Sequence, residues 1–108
     1  MESTTVVTGL RLVAKPSSRS ALLLALGAWV DGVRHSPGCM KVTTVEQTTN
    51  PDALYAIVEW ENEQALETFR TSQLAKDLAR PLVSLLAEKV QTTRFRADEI
   101  APADTISL

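Results

Sequence analysis

ALYAIVEWENEQALETFR, residues Ala53–Arg70, changes its period in the middle. Up to Trp60 the side chains alternate as on a strand, with Leu54, Ala56, Val58 and Trp60 on one face and Tyr55 and Ile57 on the other. Asn62 then offers an N-cap oxygen, and the residues to about Arg70 read as a short helix with Glu61 and Glu63 suited to its positive end. Both faces of the strand are mostly apolar, which is the pattern of a strand covered on both sides. One layer of helices covers one face of a sheet. The other face calls for a second copy of the chain, so the pattern alone predicts a homodimer.

Upstream, Thr4–Lys15 is rich in Val, Thr and Leu and reads as a strand, with Gly9 a bulge or a point of close backbone approach. Pro16-Ser17-Ser18 ends it, and a helix is expected over Ser18–Arg34, where Leu22, Leu26, Trp29 and Val33 fall on one stripe. His35-Ser36-Pro37-Gly38 turns the chain into a second strand, Cys39–Thr49, and Asn50-Pro51-Asp52 reads as the turn of a hairpin into the third. Downstream, Ser72 can cap a helix whose stripe is Leu74, Leu78, Leu82 and Leu85. Pro81 should break it, leaving Arg80 at the kink. Val90–Ala97 is the last strand and Asp98–Leu108 a tail. The order βαββααβ is that of an α+β, ferredoxin-like fold with a four-stranded antiparallel sheet.

The length of 108 residues fits one domain, 1–108, with a core at about 4–97. A net charge of −2, with no basic run, argues against a nucleic-acid partner. The longest apolar stretch, Ala21–Val30, is too short to span a bilayer, and MESTTVVTG has no basic region of a signal peptide. With Cys39 as its one cysteine the chain forms no internal disulfide, which points to the cytoplasm. One His and one Cys make no usual zinc or iron site, and no Gly-rich phosphate loop occurs. No cofactor or metal is expected. His35 with Cys39, across a Pro-Gly turn, is better read as an exposed helix-end His and a packing Cys than as a catalytic pair.

Strand, Trp60-Glu61-Asn62-Glu63-Gln64-Ala65-Leu66, helix, with Pro37-Gly38-Cys39 opening a strand about twenty residues earlier, resembles the antibiotic biosynthesis monooxygenase family. The resemblance covers about Val6–Ala97 and implies a dimeric α+β barrel. It lies closest to the cofactor-free branch that oxidises anthrones. It implies a monooxygenase acting on a small aromatic, polyketide-type substrate, an anthrone or phenol taken to a quinone by molecular oxygen. Trp60 would then stack on and orient the ring, and Arg80 would stabilise its anion. Trp29, Ala56, Val58, Leu66 and Phe69 are the expected substrate-binding residues.

The chain departs from that branch at Leu66 and Ala56, where the family carries a Tyr and an Asn, and at Phe69, where a His is common. Phe69 and Ala79 also stand where the haem-degrading branch needs a Trp and an axial His, which argues against haem cleavage. The bland readings compete at each site. Trp60 can be a corner anchor, Trp29 a core residue, and Arg80 a partner for its helix dipole. Thr43, Gln47, Thr92 and Arg94 read as solvated or dimer-interface groups. The alternative function is a non-redox binding protein, cyclase or isomerase of the same fold.

Overall fold

The computed structural model describes residues 4–97. Residues 1–3, the start of the stretch read for a signal peptide, and the 98–108 tail lie outside the described residues. In chain order the elements are β1 (Thr5–Val13), α1 (Arg19–Arg34), β2 (Cys39–Gln47), β3 (Asn50–Trp60), α2 (Glu63–Arg70), α3 (Gln73–Val83) and β4 (Gln91–Ala97). The strands form one antiparallel sheet in the order β2-β3-β1-β4. This is the ferredoxin-like arrangement that the sequence predicts.

The register explains the core. Val6, Thr8, Leu10 and Leu12 of β1 stand opposite Trp60, Val58, Ala56 and Leu54 of β3, so these eight share the face toward the helices. Seven of them are buried, and Leu10 packs against them half-buried. Leu22, Leu26, Trp29 and Val33, the expected stripe of α1, are buried on top of them. At about 25 cal/mol per Å² of apolar area, this helix–sheet interface dominates the stability of so short a chain. Gly32 lets α3 come close to α1, since a Cβ there would lie 2.5 Å from Leu78 Cδ1.

The opposite face carries Val7, Gly9 and Arg11 of β1, with Glu59, Ile57 and Tyr55 of β3 opposite them. Val45 and Phe95 add exposed apolar side chains on its outer strands. No helix of the described residues covers it.

Four expectations are corrected. The hairpin turns at Thr48 and Thr49, and Asn50-Pro51-Asp52 belongs to β3. The β2–β3 ladder jumps from Glu46↔Leu54 to Gln47↔Asn50, so Pro51, which has no N–H to give, sits in the stretch that β2 leaves unpaired. Gly9 is no bulge, because it pairs regularly with Ile57 and Thr93. Pro81 does not break α3, which continues to Val83. Pro81 gives no N–H to the Asp77 carbonyl one turn back, and only Leu82 and Val83 follow it in the helix. Leu74 is exposed rather than part of the stripe, because the buried side of α3 starts one turn later.

Candidate functional site

The site grows from the corner where β3 becomes α2. Gly38, with φ of 84°, sits against this corner, and its carbonyl accepts the Glu61 N–H at 2.9 Å. A Cβ on Gly38 would lie 2.4 Å from that of Ala65. The Pro-Gly turn and the Trp-Glu-x-Glu-x-Ala segment are therefore two halves of one contact. Asn62 caps α2 by accepting the Ala65 N–H at 2.9 Å, and Ser72 caps α3 in the same way through Ala75 at 3.1 Å. These caps fix the direction in which α2 and α3 leave the sheet.

Between the sheet and the helices lies a cavity of about 350 Å³, within the range of small-molecule sites, about 300–1,000 Å³. Val58 and Trp60 of β3, Trp29 of α1, and Leu66 and Phe69 of α2 stand in its wall. The structure thus brings together five of the seven residues singled out from sequence. Trp60 faces the helices, and its ring lies 5.4 Å from that of Phe69, tilted by 32°. Its indole Nε1 is buried and has no hydrogen-bond partner among the described residues. A buried donor left unmade costs free energy, so this N–H is a free donor beside the aromatic and aliphatic part of the wall.

Ala56 lines a second cavity of about 220 Å³, adjacent to the first and sharing Trp29, Leu10, Ala79 and Thr92 with it as common wall. Arg80 lines neither cavity. Its side chain is 77% exposed and its nearest carboxylate is Asp77, 3.7 Å away on the same helix.

Other residues take the place that Arg80 was expected to fill. Arg70, Lys76 and Arg94 stand in the wall of the first cavity, with Thr8 and Thr92 as its hydroxyls. Arg94 donates to Glu63 at 3.1 Å and to Glu67 at 3.0 Å, and Arg70 donates to Glu67 at 2.6 and 2.9 Å. The Arg70 hydrogen bond, assisted by Arg94, holds the Glu67 carboxyl below its usual pKa. Thr92 and Arg94, polar residues of a strand, read from sequence as solvated or dimer-interface groups, and both are indeed exposed. Their signal was the alternation of β4. Thr92 and Arg94 stand opposite Leu10 and Thr8 and so share the helix-facing side.

Among the described residues, the cavity wall contains no Asp, Glu, His, Tyr or Cys. Among the described residues no group of three or more His, Cys, Asp or Glu is placed to hold a metal ion. His35 is exposed, its Nδ1 2.7 Å from the Asp31 carbonyl oxygen, and burial pushes the Cys39 thiol up. No helix among the described residues is long and apolar enough to cross a membrane.

Residues 5–81 match the sequence profile described as antibiotic biosynthesis monooxygenase. The chain belongs to this family. A comparison with curated proteins gives no match. Solved structures of antibiotic biosynthesis monooxygenase proteins and their relatives share the fold at low identity. A conserved protein from Methanosarcina mazei superposes with a TM-score of 0.81 at 17% identity, covering 88% of this chain and 94% of that one. Rv0793 from Mycobacterium tuberculosis gives 0.79 at 24%, covering 90% and 98%. A variant of SnoaB from Streptomyces nogalater, described as a cofactor-independent oxygenase, gives 0.80 at 15%, covering 91% and 97%.

Proposed function

We propose that this member of the antibiotic biosynthesis monooxygenase family oxidises a flat aromatic substrate, an anthrone or related phenol, to a quinone with molecular oxygen and no cofactor. The observation that carries this reading is the buried, unpartnered Trp60 N–H in the wall of an apolar cavity. The description of SnoaB as a cofactor-independent oxygenase supports it.

For an anthrone, the ring methylene loses one proton, and the resulting carbanion, an enolate with charge on oxygen, gives one electron to O₂. The radical and superoxide combine to a peroxide, which takes up a proton. Loss of the second ring hydrogen as a proton, with cleavage of the O–O bond, gives the quinone carbonyl and water. The substrate supplies all the electrons. The protein orients the ring between Trp60 and Phe69, excludes water, and stabilises the enolate oxygen through Trp60 Nε1–H. With no titratable acid–base group in the wall except the cations, the first proton passes to water, and the acidity of the bound substrate sets the rate. Arg80, in solvent on the outer side of α3, has no part in this scheme.

The functional unit would be a homodimer formed through the helix-free face of the sheet. Val7, Ile57 and Phe95 lie there, and Gly9 has nothing within 4 Å of where its Cβ would be, which leaves room for close approach of another backbone.

The test is oxygen uptake by metal-stripped protein with a simple anthrone. Uptake above the autoxidation of the substrate is expected. Trp60→Phe should lower it at least about tenfold, since one donor to a developing oxyanion is worth about 10²–10³ in rate at well-built sites. Background-level uptake by both proteins would sink the oxidation.

One observation favours a second reading. A wall without Asp, Glu, His or Tyr also suits a non-redox protein that binds, cyclises or isomerises a reactive aromatic intermediate. Tight binding without turnover would identify the binder. Without oxygen uptake, a product lighter by water would identify a cyclase, and one of equal mass an isomerase.

A further inference from the structure

The cavity has two chemically different ends. Its inner end is the buried Trp60, with one free N–H, and the half-buried Phe69 stacked beside it. Its other end holds Arg70, Lys76 and Arg94, all exposed, with Glu63 and Glu67 behind them as ion-pair partners. Three cations face two carboxylates, which leaves one positive charge over. The structure also says where that charge resides. Arg94 is tied to both Glu63 and Glu67, and Arg70 to Glu67, whereas Lys76 forms no ion pair with a carboxylate among the described residues.

We infer that the cavity mouth is a subsite for a carboxylate on the substrate, received by Lys76 with Arg94 held rigid beside it. The inference rests on the reading of this cavity as the substrate site, and it is independent of the oxygen chemistry. Arg94 is pre-oriented by two carboxylates, so little of its freedom is lost when an anion arrives. Lys76 is a compact point charge on a flexible stem and can follow the anion. A surplus of one charge matches a monoanion better than a phosphate dianion. The carboxylate would sit in the open mouth while the enolate oxygen lies at the buried Trp60 N–H, so the two groups fix the ring from opposite ends.

The experiment compares two anthraquinones that cannot be oxidised further, one bearing a carboxylate and one a hydroxymethyl group at the same ring position. Binding is read by quenching of tryptophan fluorescence. The carboxylate should bind about fivefold more tightly at low ionic strength, a typical upper value for an exposed charge pair. The ratio should shrink as salt shortens the screening length to about 10 Å near 0.1 M. Lys76→Glu, on the exposed side of α3, should bring the ratio to one or below.

A ratio of one in the unaltered protein, a ratio that survives Lys76→Glu, or no quenching by either ligand would overturn the subsite. Tighter binding of a matching phosphate ester than of the carboxylate would overturn the monoanion. A fivefold ratio without oxygen uptake on any anthrone would support the subsite and overturn the oxidation. Uptake with a ratio of one would do the reverse.

Discussion

β3 and β4 both pair with β1, yet they build opposite kinds of wall. On β3 the helix-facing side chains Leu54, Ala56, Val58 and Trp60 are all at most 3% exposed, and each belongs to the core. On β4 the corresponding side chains, Thr92, Arg94 and Arg96, are exposed. α2 packs against β1 and β3 and reaches β4 through the ion pairs of Arg94 with Glu63 and Glu67. The central strand is therefore where the sequence holds the fold, and the edge strand is where it can choose a ligand. The cavity lies where these two regimes meet.

That contrast sets the size of the effects to expect. Trp60→Ala should give the largest, a loss of about 3–5 kcal/mol in unfolding free energy, because it empties a side chain buried among Phe69, Leu66 and Val58. Urea denaturation would measure it. A loss below about 1 kcal/mol would mean that Trp60 is not a packing residue and would erase the difference between the strands.

Gly38→Ala should follow, at about 2 kcal/mol, since the new Cβ meets Ala65 and the residue keeps a positive φ. Adding Ala65→Gly should restore the part caused by the contact and leave the part caused by φ. No recovery in the double variant would mean that the Pro-Gly turn and the Trp corner are not mechanically coupled.

The smallest effect belongs to the β4 side. Glu67 bridges Arg70 and Arg94, and its pKa lies below the ordinary 4.5. A lowered folded-state pKa adds stability that is complete above 4.5 and is lost as pH falls through the folded value. Glu67→Gln should therefore melt slightly earlier than the parent at neutral pH and together with it in strong acid. Equal melting at both pH values would show that the bridge positions Arg94 without stabilising the fold.

The same contrast explains what the sequence disclosed. Burial on β3 and α1 is written as periodicity, so Trp60, Val58 and the Leu22–Val33 stripe were legible from spacing, and the strand order followed from the βαββααβ pattern. Leu66 and Phe69 came from the family resemblance, as the positions where its members carry a Tyr and a His. Arg94 was not legible in this way. An arginine on an exposed edge strand looks solvated until the register sets it beside Thr8 and its carboxylate partners come from a helix 27 and 31 residues away. Arg80 was singled out because its spacing from Trp60 matches the anthrone-oxidising branch, and the helix, which runs on through Pro81, leaves its side chain exposed beside Asp77. Ala56 was placed on the correct face, but beyond Trp29 and so in the neighbouring cavity.

Trp29 is wall to both cavities, one of about 350 Å³ and one of about 220 Å³. An indole in that position is a bulkhead. Its bulk makes two compartments out of what would otherwise be a single hold running from the Trp60 corner to Leu86 at the far end of α3. With the cavity read as the proposed substrate site, the length of its cargo is set by one side chain that needs to touch no reacting atom, and a smaller residue at position 29 is expected to lengthen the hold without changing either end.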